Sequence, residues 1–266
     1  MAWWGKLLGG AFGFMLGGPL GAVLGAALGH SFDRGLKHAD LEAGRIRFSD
    51  QERIQTAFFT ATFAVLGHMA KVDGRVTPEE IRMANGVMGQ MGLSAQHREL
   101  AQQLFGQGKA PGFPLDDALD QLRAECRGNR NLMRMFVEIQ VFAAYADGEL
   151  HPKENRLLSH VCNRLGLPAG ELEHIDGMVR AELNFQRARS AKPSAGLGLD
   201  DAYAILGVTR KTPDKEVTTA YRRLMSQHHP DKLVAKGLPE EMMQMAKEKT
   251  QDIKLAYERV KEARGI

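Results

Sequence analysis

In SQHHPDKL, residues 226–233, two histidines, a proline and an aspartate stand in a row. Histidine and aspartate are residue types for proton transfer and metal ligation, and the proline between them fixes one backbone dihedral. His228, His229 and Asp231 could therefore bind a metal or act in catalysis. No nucleophile motif such as G-x-S-x-G accompanies them, which counts against an enzyme. A plainer reading makes His229 the last histidine of a helix and Asp231 a turn residue.

A second set of reactive side chains occurs twice. KVDGRVTPEEIRMANGVMGQMGL and YADGELHPKENRLLSHVCNRLGL align without gaps at an offset of 74 residues. Asp73 pairs with Asp147, Gly74 with Gly148, Pro78 with Pro152, Glu80 with Glu154 and Gly92 with Gly166. The four carboxylates Asp73, Glu80, Asp147 and Glu154 are hard oxygen ligands suited to calcium or magnesium. A calcium EF-hand loop needs several more acidic positions before its glycine. The competing account is structural: Asp-Gly turns the chain, Pro opens the next helix, and Glu at its third position caps it.

Helices must position both sets. In QERIQTAFFTATFAVLGHMA, apolar Ile54, Phe58, Ala61 and Val65 recur at helical steps. Similar patterns cover roughly 78–91, 95–106, 114–126, 130–146, 152–165 and 169–185, and no stretch alternates as a strand. The fold class is all-α, and the repeat predicts two similar helical hairpins about a pseudo-twofold axis. QRARSAKPSAGLGL reads as a linker. Beyond it, a short helix over Ala202–Leu206 stops at Gly207, and Thr212-Pro213 opens a helix to about His228. Val217, Ala220, Tyr221 and Leu224 form its apolar face, with Lys215, Arg222 and Arg223 elsewhere. A last helix from about Pro239 to Ala263 buries Met242 or Met243, Ala246, Ile253, Ala256, Tyr257 and Val260. These two helices predict a hairpin with His229-Pro230-Asp231 between them.

The opening of the chain is different. Leu7 to Gly29 is 23 residues without a charge, roughly 34 Å as a helix and enough to cross a hydrocarbon core. Its length exceeds the apolar region of a signal peptide. Gly9, Gly13, Gly17, Gly21, Gly25 and Gly29 recur at every fourth position, a stripe on which a second copy can pack closely in lipid. Lys6 precedes the span, whereas Arg34, Lys37, Arg45 and Arg47 follow it, so the N-terminus is expected outside and the body in the cytoplasm. The chain divides into an anchor (1–30), a juxtamembrane segment (31–49), a helical domain (50–186), a linker (187–199) and a C-terminal domain (200–266). A net charge of +3 without a long basic tract does not suggest a nucleic-acid binder, and no such partner is expected. Two cysteines, both in apolar helical patterns, build neither a disulfide framework nor a zinc ribbon.

The paired D-G-x-[VL]-x-P-x-E segments in an all-helical frame resemble the tellurite-resistance protein B (TerB) family. That likeness implies a compact helical domain, with metal binding as one expected property and a poorly defined biochemical role. The segment D-K-E-V-T-T-A-Y-R-R-L, then His-Pro-Asp, then I-K-L-A-Y-E-R-V, resembles the J domain of DnaJ-type co-chaperones. The resemblance implies that His229, Pro230 and Asp231 stimulate ATP hydrolysis by a DnaK-type chaperone, and that Arg222, Arg223 and Lys215 dock its acidic surface. Neither the Gly/Phe-rich segment nor the CxxCxGxG repeats of DnaJ follow. The whole order of segments is similar to membrane-anchored DnaJ-like co-chaperones of Gram-negative bacteria. It implies a single inner-membrane span, a cytosolic body and a DnaK-type partner; the chain is expected to be a non-enzyme with no required cofactor, and the glycine stripe itself predicts a homodimer. The rival expectation is a membrane-bound sensor whose TerB-like domain binds a divalent cation or an envelope component, with the J domain as output.

Overall fold

A computed structural model describes residues 18–32, 49–71, 86–89, 91–145, 148–191 and 198–265. Every regular element among them is helical, as the apolar periodicity predicts. The first seven named here are α1 (Gly18–Phe32), α2 (Asp50–Met69), α3 (Ala95–Gly108), α4 (Leu115–Glu125), α5 (Arg130–Ala144), α6 (Pro152–Leu165) and α7 (Glu171–Ala191). After them come α8 (Leu199–Ile205), α9 (Asp214–Gln227), α10 (Pro230–Ala235), a 3₁₀ turn (Glu240–Met242) and α11 (Met243–Arg264).

α2 is the axle of the body. Ser49 and Glu52 close its first turn reciprocally: the Ser49 N–H donates to Glu52 Oε2 at 2.7 Å, and the Glu52 N–H to Ser49 Oγ at 3.3 Å. From Ala57 to Gly67 every residue is buried, because α3, α4 and α5 pack round the helix. Ile54, Phe58, Ala61 and Val65 are thus only one side of an enclosed helix. Within it Thr62 donates to the Phe58 carbonyl at 2.8 Å, and Gln140 Nε2 of α5 donates to the Thr62 carbonyl at 3.2 Å. α2 and α3 cross at backbone contact. A Cβ on Gly67 would lie 2.0 Å from the Phe105 carbonyl oxygen, and one on Gly108 1.8 Å from that of Ala64.

The repeat shows in local geometry. Gly92 and Gly166 are both left-handed, with φ of +67° and +71°. The Gly92 N–H donates to the Gly89 carbonyl and the Gly166 N–H to that of Asn163, each at 3.1 Å, which is the same bond at the repeat offset.

Three segments differ from expectation. Of the span expected from Leu7, residues 7–17 lie outside the described residues; α1 covers the rest from Gly18, which has φ +63°, with Pro19 in its first turn. Leu20, Val23 and Leu24 of α1 are buried against the body. Among the described residues no helix is long and apolar enough to cross a membrane. Gly21, Gly25 and Gly29 lie on α1, whereas Gly9, Gly13 and Gly17 lie outside the described residues. Second, α7 continues to Ala191, so its helix carries five residues of the segment read as linker. Third, the passage from α9 to α11 holds α10 and the 3₁₀ turn. Leu233, Leu238 and Met242 are fully or almost fully buried there and join the core of the body, which gives that passage its structure.

The close helix crossing yields a sign test. Gly67→Ala and Gly108→Ala each force the two backbones apart and are expected to cost about 1–3 kcal/mol. Gly106→Ala, on α3 with nothing within 4 Å of an added Cβ, is expected to stabilise by roughly 0.5–1 kcal/mol. Urea unfolding of the three variants checks both directions.

Candidate functional site

The corner between α9 and α11 is built by apolar pairing. Val217, Ala220 and Leu224 of α9 are buried against α11, which contributes Ile253, Ala256 and Val260. Tyr221 stacks on Tyr257 with ring centroids 4.0 Å apart and planes within 7°. Arg264 ties the open end: it donates to Tyr203 Oη at 2.7 Å, to the Thr212 carbonyl at 2.7 Å and to Asp214 Oδ1 at 2.6 Å. The expected cap is corrected by one residue. Pro213 is the N-cap of α9, and the Thr212 hydroxyl instead accepts from the Thr209 N–H at 3.0 Å.

His229-Pro230-Asp231 is less a loop than the opening turn of a helix. His228 ends α9, His229 is the N-cap of α10, and Pro230 takes the first turn, with the Leu233 N–H donating to the His229 carbonyl at 3.0 Å. His229 and Asp231 are exposed and Pro230 is half-buried. Proline thus holds the imidazole and the carboxylate on a fixed backbone at the surface.

Lys215, Arg222 and Arg223 are all exposed, but they do not share one face. Lys215 and Arg222 are two turns apart and continue to Ser226, whose Oγ accepts from Lys232 Nζ at 2.9 Å. Lys232 thereby extends this basic edge to the corner, a role that its place outside α9 concealed in the sequence. Arg223 is one step round the helix. It borders a groove of about 500 Å³ against the body, lined also by Arg130, Arg134, Glu171, His174 and Gln227.

Beneath the corner lies a charge cluster that sequence reasoning missed. Glu138 of α5, Glu182 of α7 and Lys249 of α11 are buried with His228 at 5, 8, 7 and 2% exposure. Glu138 accepts from Arg134 Nε at 3.2 Å and lies 3.8 Å from Lys249 Nζ, which donates to Glu182 at 2.5 Å. His228 Nε2 stands 3.6 Å from Glu138 Oε1, a contact too long for a hydrogen bond. Burial works against ionisation of Glu138, yet His228, Lys249 and Arg134 together hold its carboxyl below the usual range. Burial also works against the Lys249 ammonium, but Glu182 and Glu138 keep it raised. For His228 burial prevails and pushes the imidazole down to about 4. One signal was legible: Lys249 interrupts the apolar stripe of Met242, Ala246, Ile253, Ala256 and Val260.

Of the four carboxylates, Asp73, Glu80 and Asp147 lie outside the described residues. Glu154 accepts from the His151 N–H at 3.0 Å behind Pro152, the helix-capping arrangement. Among the described residues no group of three or more His, Cys, Asp or Glu could hold a metal ion. Cys126 and Cys162 are free and buried, and burial raises both thiols to about 12.

Comparison with known proteins gives three family matches in chain order. Residues 1–39 match the co-chaperone DjlA transmembrane domain, residues 59–177 the tellurite resistance protein TerB and residues 201–264 the DnaJ domain. Full-length relatives carry the name co-chaperone protein DjlA. Those of Photorhabdus laumondii and Shewanella oneidensis are 44% and 45% identical, each covering 100% of both chains. That of Photobacterium profundum is 43% identical over 99% of both. No solved structure matches.

The buried imidazole sets a pH dependence. In the folded protein His228 titrates at about 4, against 6.5 for the ordinary group, so unfolding takes up a proton between these values. This contribution is complete above pH 6.5 and is lost as pH falls through 4, by about 3 kcal/mol in all. Urea unfolding from pH 7 to 4 should show a shallower acid-side loss in His228→Leu than in the wild type. Equal slopes would assign the acid sensitivity to other groups.

Proposed function

The chain belongs to the co-chaperone DjlA family, and from that premise we propose that it stimulates the ATPase of a DnaK-type chaperone and recruits it to the cytoplasmic face of the inner membrane. The observation that carries the reading is the corner itself. His229 and Asp231 are exposed on a proline-fixed turn, beside the basic edge of Lys215, Arg222 and Lys232. A positive edge of this kind steers an acidic protein surface into contact and sets its orientation. Arg223, on the neighbouring face, reaches the same partner from the groove side.

The chain hydrolyses nothing itself. The partner brings its own nucleotide, and His229 and Asp231 change the partner's rate by contacting one of its conformations better than another. That action calls for no cofactor. Residues 1–39 supply the attachment, with the N-terminus periplasmic and the remainder cytoplasmic, as the flanking positive charges favour. In lipid, Leu20, Val23 and Leu24 exchange one apolar surrounding for another, and the glycine stripe then pairs two copies as a homodimer.

Two experiments test these statements. In single-turnover ATPase assays of a DnaK-type chaperone, the full chain is expected to accelerate hydrolysis and His229→Gln to abolish the acceleration. Equal rates with both proteins would remove the corner from the function. For the dimer, replacing Gly13, Gly17, Gly21 and Gly25 by Leu is expected to eliminate crosslinking between membrane-embedded copies, and undiminished crosslinking would exclude the stripe as the contact.

A further inference from the structure

The C-terminal hairpin is fixed to the body on both sides of the corner. On the near side, His228 directly precedes His229 and is buried against Glu138 of α5. On the far side, Leu233 lies in the core of the body, Gln51 Nε2 donates to the Val234 carbonyl at 3.3 Å, and Gln55 Nε2 to that of Leu238 at 3.5 Å. Two glycines of the hairpin meet the body directly. A Cβ on Gly237 would fall 2.2 Å from Ile54 Cγ2, and one on Gly207 2.3 Å from His174 Cε1. At both points the hairpin backbone lies close against a side chain of the body.

The ionic cluster adds directional constraint to this fit. Glu138, Arg134 and Glu182 come from the body, whereas His228 and Lys249 come from the hairpin. Buried charges are tolerated only where partners stand in good geometry, so such a cluster specifies one arrangement more than it adds stability. Apolar contacts alone would allow the hairpin to slide, but Lys249 cannot move away from both carboxylates without leaving charges bare.

We propose that Glu138 is a positioning residue for the His229-Pro230-Asp231 corner: through His228 and Lys249, the TerB-like body sets the orientation in which the corner acts on its chaperone partner. The inference rests on the co-chaperone reading above and goes beyond it, because it gives the TerB-like domain a part in the J-domain reaction. Glu138 touches no partner. It packs against the His228 side chain, 3.6 Å from Nε2, one residue before the imidazole that does.

The test uses the full chain and a DnaK-type ATPase, with maximal stimulation and half-saturating concentration measured separately. Glu138→Gln keeps the shape of the side chain and removes its charge. It is expected to lower maximal stimulation at least fivefold and to leave the half-saturating concentration within twofold, because Lys215, Arg222 and Lys232 still dock. The paired variant Glu138→Gln with Lys249→Met removes both charges of that contact and also withdraws the lysine from Glu182; it is expected to show the same split. Gln51→Ala with Gln55→Ala loosens the far side without touching the core and is expected to lower maximal stimulation in the same direction. Lys249→Arg, which keeps the charge, is expected to retain stimulation. Folded variants that all remain within twofold of wild-type maximal stimulation, while His229→Gln abolishes it, would overturn the proposal. Unaltered stimulation in His229→Gln would instead overturn the co-chaperone reading on which it rests.

Discussion

Placing the carboxylate of Glu138 among the apolar side chains of α5 costs free energy unless cations come with it. The protein draws them from two places. Arg134 lies one turn back on the same helix, whereas Lys249 arrives from α11, more than a hundred residues along the chain. Satisfying one buried charge therefore requires that the C-terminal hairpin be seated on the body. Glu182 completes the arrangement by holding the Lys249 ammonium from α7. Remove the hairpin and two carboxylates on the body lose their lysine; remove the body and the lysine has nothing to face.

The two halves are correspondingly interleaved. Leu233, Leu238, Met242 and Ala246 of the hairpin belong to the core built round α2. In the other direction, Met178, Ala181 and Phe185 of α7 belong to the core of the hairpin. α7 thus serves both, packing on α5 along one face and on α8 along another. The hairpin carries its exposed corner outward as a consequence of where its buried side chains go.

Much of this was legible beforehand because helices announce themselves by period. The apolar steps over Val217–Leu224 and Ala246–Val260 placed the hairpin, and the exposed corner followed from the proline that cannot continue α9. The repeat was legible because two glycines had to adopt the same left-handed turn. What escaped was relational. Glu138 sits in an apolar run that reads as an ordinary core helix, and nothing in its neighbours announces a lysine from the far end of the chain. α10 escaped because six residues give too little periodicity to separate a helix from a loop. The linker was set too long because polar composition does not by itself end a helix, and α7 continues through it to Ala191.

The Arg264 clamp has a consequence for the order of events during synthesis. This one guanidinium binds Tyr203, Thr209, Arg210, Thr212 and Asp214, all made earlier on the ribosome. Until it emerges, the start of α9 has no such tie, and α11 lacks the end that fastens it. The core of the body waits as well for Leu233, Leu238, Met242 and Ala246, which leave the ribosome after α7. The hairpin is tied last, so a nascent chain does not present a finished corner to a chaperone working beside it. A half-made copy is in that respect silent.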